Sequence, residues 1–166
     1  MSKVDYTITK QLQDDLIEAY KKVAGKAWDY MDAFRQVAAM EAPRYYVTPK
    51  QAYQVVVKMM KGDFYHVDHM ARNKRRMYYS LFNKVVELSE QRAFIDKSLW
   101  YIIHYATSSP APEFFISPQR AYAIRHSVRQ KTVDENGKPV VPRCQTKWYK
   151  KLKEKRKQEK ERKMLS

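Results

Sequence analysis

The densest charge in the sequence is the segment RNKRR at residues 72–76, which begins a stretch with helical periodicity. Cations at a helix start oppose the positive end of the helix dipole. The same place offers free backbone N–H groups beside positive side chains, a combination suited to binding phosphate. The predicted phosphate-binding residues are Arg72, Lys74, Arg75 and Arg76. Tyr78 and Tyr79 follow and can stack on, or hydrogen-bond to, a nucleic acid. The alternative interpretation is a solvated basic turn.

A second group of basic residues lies on the predicted helix after Pro118. Arg125 and Arg129 are four residues apart and share a helix face. Paired arginines can recognise guanine edges or clamp phosphates. The lysine-rich tail would add sequence-independent affinity for phosphates, or else is a solvated end. The remaining candidate nucleic-acid-binding residues are Arg44, Arg120, Lys147, Lys150, Lys151 and Lys153.

The charge of the whole chain favours an acidic partner. The 166 residues carry a net charge of +15, from 33 Lys and Arg against 18 Asp and Glu. Residues 143–166 contribute +8, from 11 cationic and 3 acidic side chains, so the other 142 residues contribute +7. Nucleic acid is the first expected partner, and an anionic membrane surface or acidic protein the second. The alternative is a soluble cationic protein with no such partner.

The remaining composition predicts a cytoplasmic location and contains few candidate catalytic or metal-binding groups. The chain has one cysteine, no apolar secretory segment at its start and no apolar run approaching the roughly 20 residues of a membrane span. His66 and His69 have a spacing that can share a metal, but no second ligand pair accompanies them. Three glycines leave no phosphate-cradling loop. We therefore expect no catalytic residues, no metal and no cofactor.

Apolar spacing predicts an all-α protein. The predicted helices are 10–24, 27–41, 49–62, 71–94, 97–108 and from 118 through 128. Thr48-Pro49 and Ser117-Pro118 each pair a hydroxyl N-cap with proline at the first helical position. Thr9 and Asp96 are the other expected caps. Asn136-Gly137 indicates either a small hairpin near 132–141 or a plain linker.

The sequence contains an internal repeat. APRYYVTPKQAY at 42–53 and APEFFISPQRAY at 111–122 share five of twelve residues, 69 positions apart. The repeat predicts two three-helix units, 1–62 and 63–130, packed as one helical domain. Beyond them lie a linker or hairpin at 131–145 and a lysine-rich tail at 146–166. The paired aromatics are the expected core residues. The change from Arg44 to Glu113 suggests different surface roles for the two units.

The pattern Ala-Pro-x-aromatic-aromatic-x-Ser/Thr-Pro occurs at 42–49 and, after a further proline, at 110–118. In a small basic helical chain, this pattern resembles uncharacterised proteins of bacteria and their phages or mobile elements. That group has no established activity, so the resemblance implies a bacterial or phage setting and no site residues.

These features together predict a non-enzymatic nucleic-acid-binding protein with a regulatory or accessory role in DNA processing. DNA is the first expected ligand and RNA the second. The alternative is a structural or assembly protein of a phage particle or complex, whose basic tail contacts nucleic acid. Homo-oligomers or a protein partner are compatible with both hypotheses.

Overall fold

The computed structural model describes residues 3–129 and 157–158, and this part of the chain is helical, without a β-strand. The helices are α1 (Lys3–Val23), α2 (Tyr30–Ala39), α3 (Pro49–Met60), α4 (Tyr65–Asp68), α5 (Arg72–Glu90), α6 (Leu99–Ser108) and α7 (Pro118–Arg129), with a short 3-10 helix at Arg92–Phe94. The predicted all-α class is confirmed. The predicted hairpin and linker lie outside the described residues, as does the tail apart from its helical residues 157–158.

Two helix starts follow directly from the repeated motif. The Thr48 hydroxyl accepts a hydrogen bond from the Gln51 N–H at 3.2 Å, and Pro49 is the first helical residue. The Ser117 hydroxyl likewise accepts from the Arg120 N–H at 3.1 Å. Each cap satisfies a backbone donor that the helix itself leaves without a partner. The two predicted Ser/Thr-Pro starts of α3 and α7 are confirmed.

Two other predicted caps are wrong. Helix α1 already begins at Lys3, so Thr9 lies inside it rather than at its start. Helix α6 is capped by Ser98, whose hydroxyl accepts from the Tyr101 N–H at 3.2 Å, and not by Asp96. The 3-10 helix and the turn after it carry the chain past Asp96 before α6 can start. The short helix α4 was not predicted at all, because four residues are too few to show a period.

The third helix of each half packs against the other half of the chain. Helix α3 packs on α5 and α6, whereas α7 packs on α1 and α2. Within each half, the first two long helices pack on each other, α1 on α2 and α5 on α6. The fold therefore consists of two helix triplets, each completed by a helix from the other half. The helix contacts do not test where one repeated unit ends and the next begins, so the division into units 1–62 and 63–130 stays a prediction.

The two copies of the repeated motif contact each other. Ala42 and Ala111, which are 69 residues apart, form an antiparallel bridge with reciprocal N–H to carbonyl hydrogen bonds of 2.9 Å. Beside it, Tyr45 stacks on Phe115 with ring centroids 6.1 Å apart, and Tyr46 stacks on Phe114 at 5.9 Å. These crossed pairs are the pattern that an approximate two-fold relation between the halves would produce.

One hydrophobic core contains residues of both halves. Near one end of it, Phe34 of α2 is fully buried and stacks on Tyr20 of α1 at 5.0 Å. Its ring also meets Tyr30 edge-on at 4.9 Å and Tyr122 of α7 at 5.8 Å. Tyr45 and Phe114 of the repeated motif are buried, as the sequence predicts for core aromatics.

Buried tyrosines make the stability of this fold sensitive to alkali. Burial raises the pKa of Tyr45, Tyr46 and Tyr78 above the ordinary value of 10.0, and the hydrogen bond that Tyr46 donates to Asp15 at 2.6 Å raises the pKa of Tyr46 further. The folded chain thus keeps protons that the unfolded chain releases above about pH 10. The contribution of these tyrosines to the free energy of unfolding is fully present below that pH and is lost as the pH rises beyond it.

We expect the urea concentration at the unfolding midpoint to decrease as the pH is raised from about 8 to about 11. The decrease should be larger in the wild type than in Tyr78→Phe. The variant keeps the buried ring and removes the ionisable hydroxyl. The difference between the two pH profiles therefore gives the contribution of Tyr78 alone, because all other ionisable groups are common to both proteins. Identical profiles would contradict the prediction.

Candidate functional site

The start of α5 presents an exposed group of cations. Arg72, Lys74 and Arg75, here called the basic cluster, are exposed, and the first turn of α5 contains no acidic residue. The residue before the helix is Ala71, which has no side chain able to cap it. The first helical hydrogen bond runs from the Arg75 N–H to the Ala71 carbonyl at 2.9 Å. The preceding N–H groups therefore have no partner within the helix, an arrangement that suits the binding of an anion.

Helix α4 fixes the position of this helix start. The Tyr79 hydroxyl donates to the Asp68 carboxylate at 2.7 Å, and Arg75 donates to the Asp68 carbonyl at 3.3 Å. The hydrogen bond to Asp68 raises the pKa of Tyr79 above its ordinary value. Phe64 stacks on Tyr79 with centroids 6.0 Å apart. Tyr78 is buried and Tyr79 has these internal partners, so the pair expected to contact a nucleic acid serves the fold instead.

Arg76 also has an internal role. Its guanidinium Nη2 lies 2.8 Å from Glu113 Oε1, in an ion pair that ties α5 to the second copy of the repeated motif. In the first copy, Arg44 donates from Nη1 to Gln11 Oε1 of α1 at 2.8 Å. Each motif therefore contacts the first helix of its own half. The change from Arg44 to Glu113 is accompanied by a complementary change in the contacting residue, from Gln11 to Arg76.

The arginines of α7 do not form one exposed group in the described structure. The Arg125 guanidinium carbon lies 3.8 Å from the Tyr20 ring centroid, a cation–π contact that packs α7 on α1. Arg120 is exposed beside a groove between α1 and α7, which Gln13 and Ala123 also line. The side chain of Arg129 lies outside the described residues. The candidate lysines of the tail, Lys147, Lys150, Lys151 and Lys153, lie outside them too.

One of the two histidines near α4 has an internal partner. His69 Nδ1 lies 2.7 Å from the Tyr65 carbonyl, and the two rings are 4.1 Å apart. Among the described residues, no group of three or more His, Cys, Asp or Glu side chains is placed to hold a metal ion. Within the same part of the chain, none of the helices is both long and apolar enough to cross a membrane.

Helix α6 carries a surface of aromatic side chains that was not predicted from the sequence. Trp100, Tyr101 and Tyr105 are each nearly half exposed, and His104 between them is exposed as well. A signal was present in LWYIIHYATS, because the four buried positions Ile102, Ile103, Ala106 and Thr107 already fill one face of the helix. The rings at the other positions must therefore lie on the opposite side.

The fold and the basic cluster together describe a small all-α protein with an exposed cationic helix start. Comparison with protein-family models, curated proteins and solved structures finds no match to this chain. Its function is therefore argued from its own residues and contacts.

Proposed function

We propose that this chain is a non-enzymatic nucleic-acid-binding protein with DNA as its preferred ligand. Its role would be regulatory or accessory to DNA processing, in a bacterial or phage setting. The observation that carries the proposal is the basic cluster at the uncapped start of α5, where three exposed cations accompany free backbone N–H groups. A phosphate bound there would relieve the unfavourable interaction of these cations with the helix dipole.

The net charge supports the same function. Much of the +15 lies outside the tail, so the helical part of the chain is itself cationic. Of the predicted contacts, Arg72, Lys74 and Arg120 are exposed and have no internal ion pair among the described residues. Three other predicted contacts have internal partners. Arg76 joins α5 to the second motif, Arg44 joins the first motif to α1, and Arg125 packs α7 on α1. Their guanidinium groups are therefore less available to a phosphate.

The direct test is binding of single- and double-stranded DNA and RNA across a salt series. We expect the observed association constant to fall steeply with salt, because each phosphate that a cation neutralises contributes about −0.9 to the log–log slope on duplex DNA and about −0.7 on single strands. Three contacts from the basic cluster alone would give a slope of about −2.7 on duplex DNA. Absence of binding to all four ligands at low salt would refute the proposal.

The aromatic surface of α6 favours a second candidate function, that of a structural or assembly protein, because exposed apolar area is typical of protein interfaces. Light scattering distinguishes the two. An assembly protein forms large homo-oligomers with or without nucleic acid, whereas a regulator or accessory factor stays small until DNA is added.

A further inference from the structure

The solvent-facing side of α6 consists almost entirely of rings. Its exposed positions are Trp100, Tyr101, His104, Tyr105 and Ser108. Phe94 of the preceding 3-10 helix packs against Tyr105 with centroids 5.0 Å apart, which holds that ring on the surface. Trp100 meets Tyr53 of α3 edge-on at 5.2 Å. These contacts hold the rings against neighbouring side chains, while nearly half of Trp100, Tyr101 and Tyr105 stays exposed.

The other half of the chain shows that the fold does not require rings at these positions. Helix α2 precedes Ala42 at the same spacing with which α6 precedes Ala111, so residues 69 apart correspond. The buried positions match in character, as with Phe34 and Ile103. The solvent-facing positions differ. Tyr101, His104 and Tyr105 correspond to Asp32, Arg35 and Gln36.

One cation contacts the rings directly. Lys97 Nζ lies 5.6 Å from the Tyr101 ring centroid. Helix α3, which packs on α6, contains two exposed lysines, Lys50 and Lys58, and no acidic residue. The acidic side chains nearest along the chain, Glu90 and Asp96, both precede Lys97. The exposed side of α6 is therefore aromatic, with Lys97 placed against one of its rings.

We propose that the α6 rings Trp100, Tyr101 and Tyr105, together with Lys97, form a stacking surface for single-stranded nucleic acid, an inference that rests on the proposed function. Single-strand-binding surfaces combine aromatic side chains, on which bases stack, with cations that follow the phosphates. A duplex would not use the rings, because its bases are already stacked inside it. Aromatic side chains are also enriched at protein interfaces, so light scattering is included below to distinguish the two.

The test compares two double variants. Tyr101→Gln with Tyr105→Gln removes two rings without changing the charge. Glutamine is also the residue in α2 at the position that corresponds to Tyr105. Tyr6→Gln with Trp28→Gln removes two exposed rings elsewhere and is the matched control. We expect the first pair to weaken binding of a dT oligonucleotide at least about tenfold, since stacking on each ring contributes substantially to affinity. Duplex affinity should not change, and the control should bind both ligands as the wild type does.

A direct signal comes from Trp100 itself. The chain has three tryptophans, so a variant with Trp28→Phe and Trp148→Phe leaves Trp100 as the only one. Addition of the dT oligonucleotide should quench its fluorescence, because a stacked base lies against the indole. Absence of quenching under conditions in which the oligonucleotide is bound would overturn the stacking surface.

The outcomes separate this inference from the proposed function. If Tyr101→Gln with Tyr105→Gln keeps wild-type affinity for dT while loss of the basic cluster weakens it, the stacking surface is refuted and nucleic-acid binding stands. If the variant instead lowers the oligomer mass in light scattering without affecting dT binding, α6 is a protein interface and the inference is wrong. If the wild type binds no nucleic acid, both proposals fail.

Discussion

Phe34→Ala is expected to lower the free energy of unfolding by about 3–5 kcal/mol, the range for removing a buried aromatic ring. Phe34 is fully buried, and its ring contacts Tyr20, Tyr30 and Tyr122. These partners lie on three different elements, so no single movement can close the cavity left by the ring. The cost therefore includes both the lost burial and the lost ring contacts.

Urea unfolding measures this effect, and Trp28→Ala provides the control. Trp28 is larger than Phe34 but 91% exposed, so its removal should change stability by no more than about 0.5 kcal/mol. Because Tyr122 belongs to α7, Phe34→Ala should also weaken the docking of α7 on α2. A loss below about 1 kcal/mol, within the range of an average substitution, would show that these four rings do not pack as described.

Replacing Arg72, Lys74 and Arg75 together with alanine should weaken DNA binding at least about tenfold at low salt and flatten the salt dependence. Each lost phosphate contact removes about 0.9 from the magnitude of the log–log slope on duplex DNA, so three contacts remove about 2.7. Arg76 is left in place because its ion pair with Glu113 joins α5 to the second motif. The triple variant should therefore fold, and circular dichroism checks that it does.

The matched control removes the same charge from another part of the molecule. Lys10, Lys22 and Lys26 are exposed in α1 and the turn after it, and α1 packs on α2 and α7. Their replacement with alanine lowers the net charge equally but spares the start of α5. If both triple variants lose affinity to the same extent, net charge alone explains binding, and the basic cluster is not a site.

Local chemistry made the fold class and several helix ends predictable. Thr48-Pro49 and Ser117-Pro118 start α3 and α7 because a hydroxyl cap and a proline act within one turn of the chain. The same reasoning was wrong for Asp96 and Ser98, which are two residues apart and both able to cap. Which of them does so depends on where the preceding 3-10 helix ends, and that helix shows no clear period in the sequence.

The candidate site was less predictable than the fold. RNKRR stood out from its charge alone, yet the sequence could not distinguish the exposed Arg72 from Arg76, which pairs with Glu113. Arg125 and Arg129 share a helix face, but the structure places Arg125 over the Tyr20 ring. Both contacts join residues far apart in sequence. The aromatic surface of α6 was missed because periodicity does not show whether a second apolar face is covered.

Helix propensity, capping and charge are properties of short segments, so the amino-acid sequence was enough to predict a helical, cationic protein with two related motifs. Long-range packing, in contrast, makes α3 complete the triplet of α5 and α6 while α7 completes that of α1 and α2. That choice depends on the fit between surfaces formed by distant residues, such as the reciprocal hydrogen bonds of Ala42 and Ala111. The same long-range packing decides which arginines stay exposed and which rings of α6 face solvent.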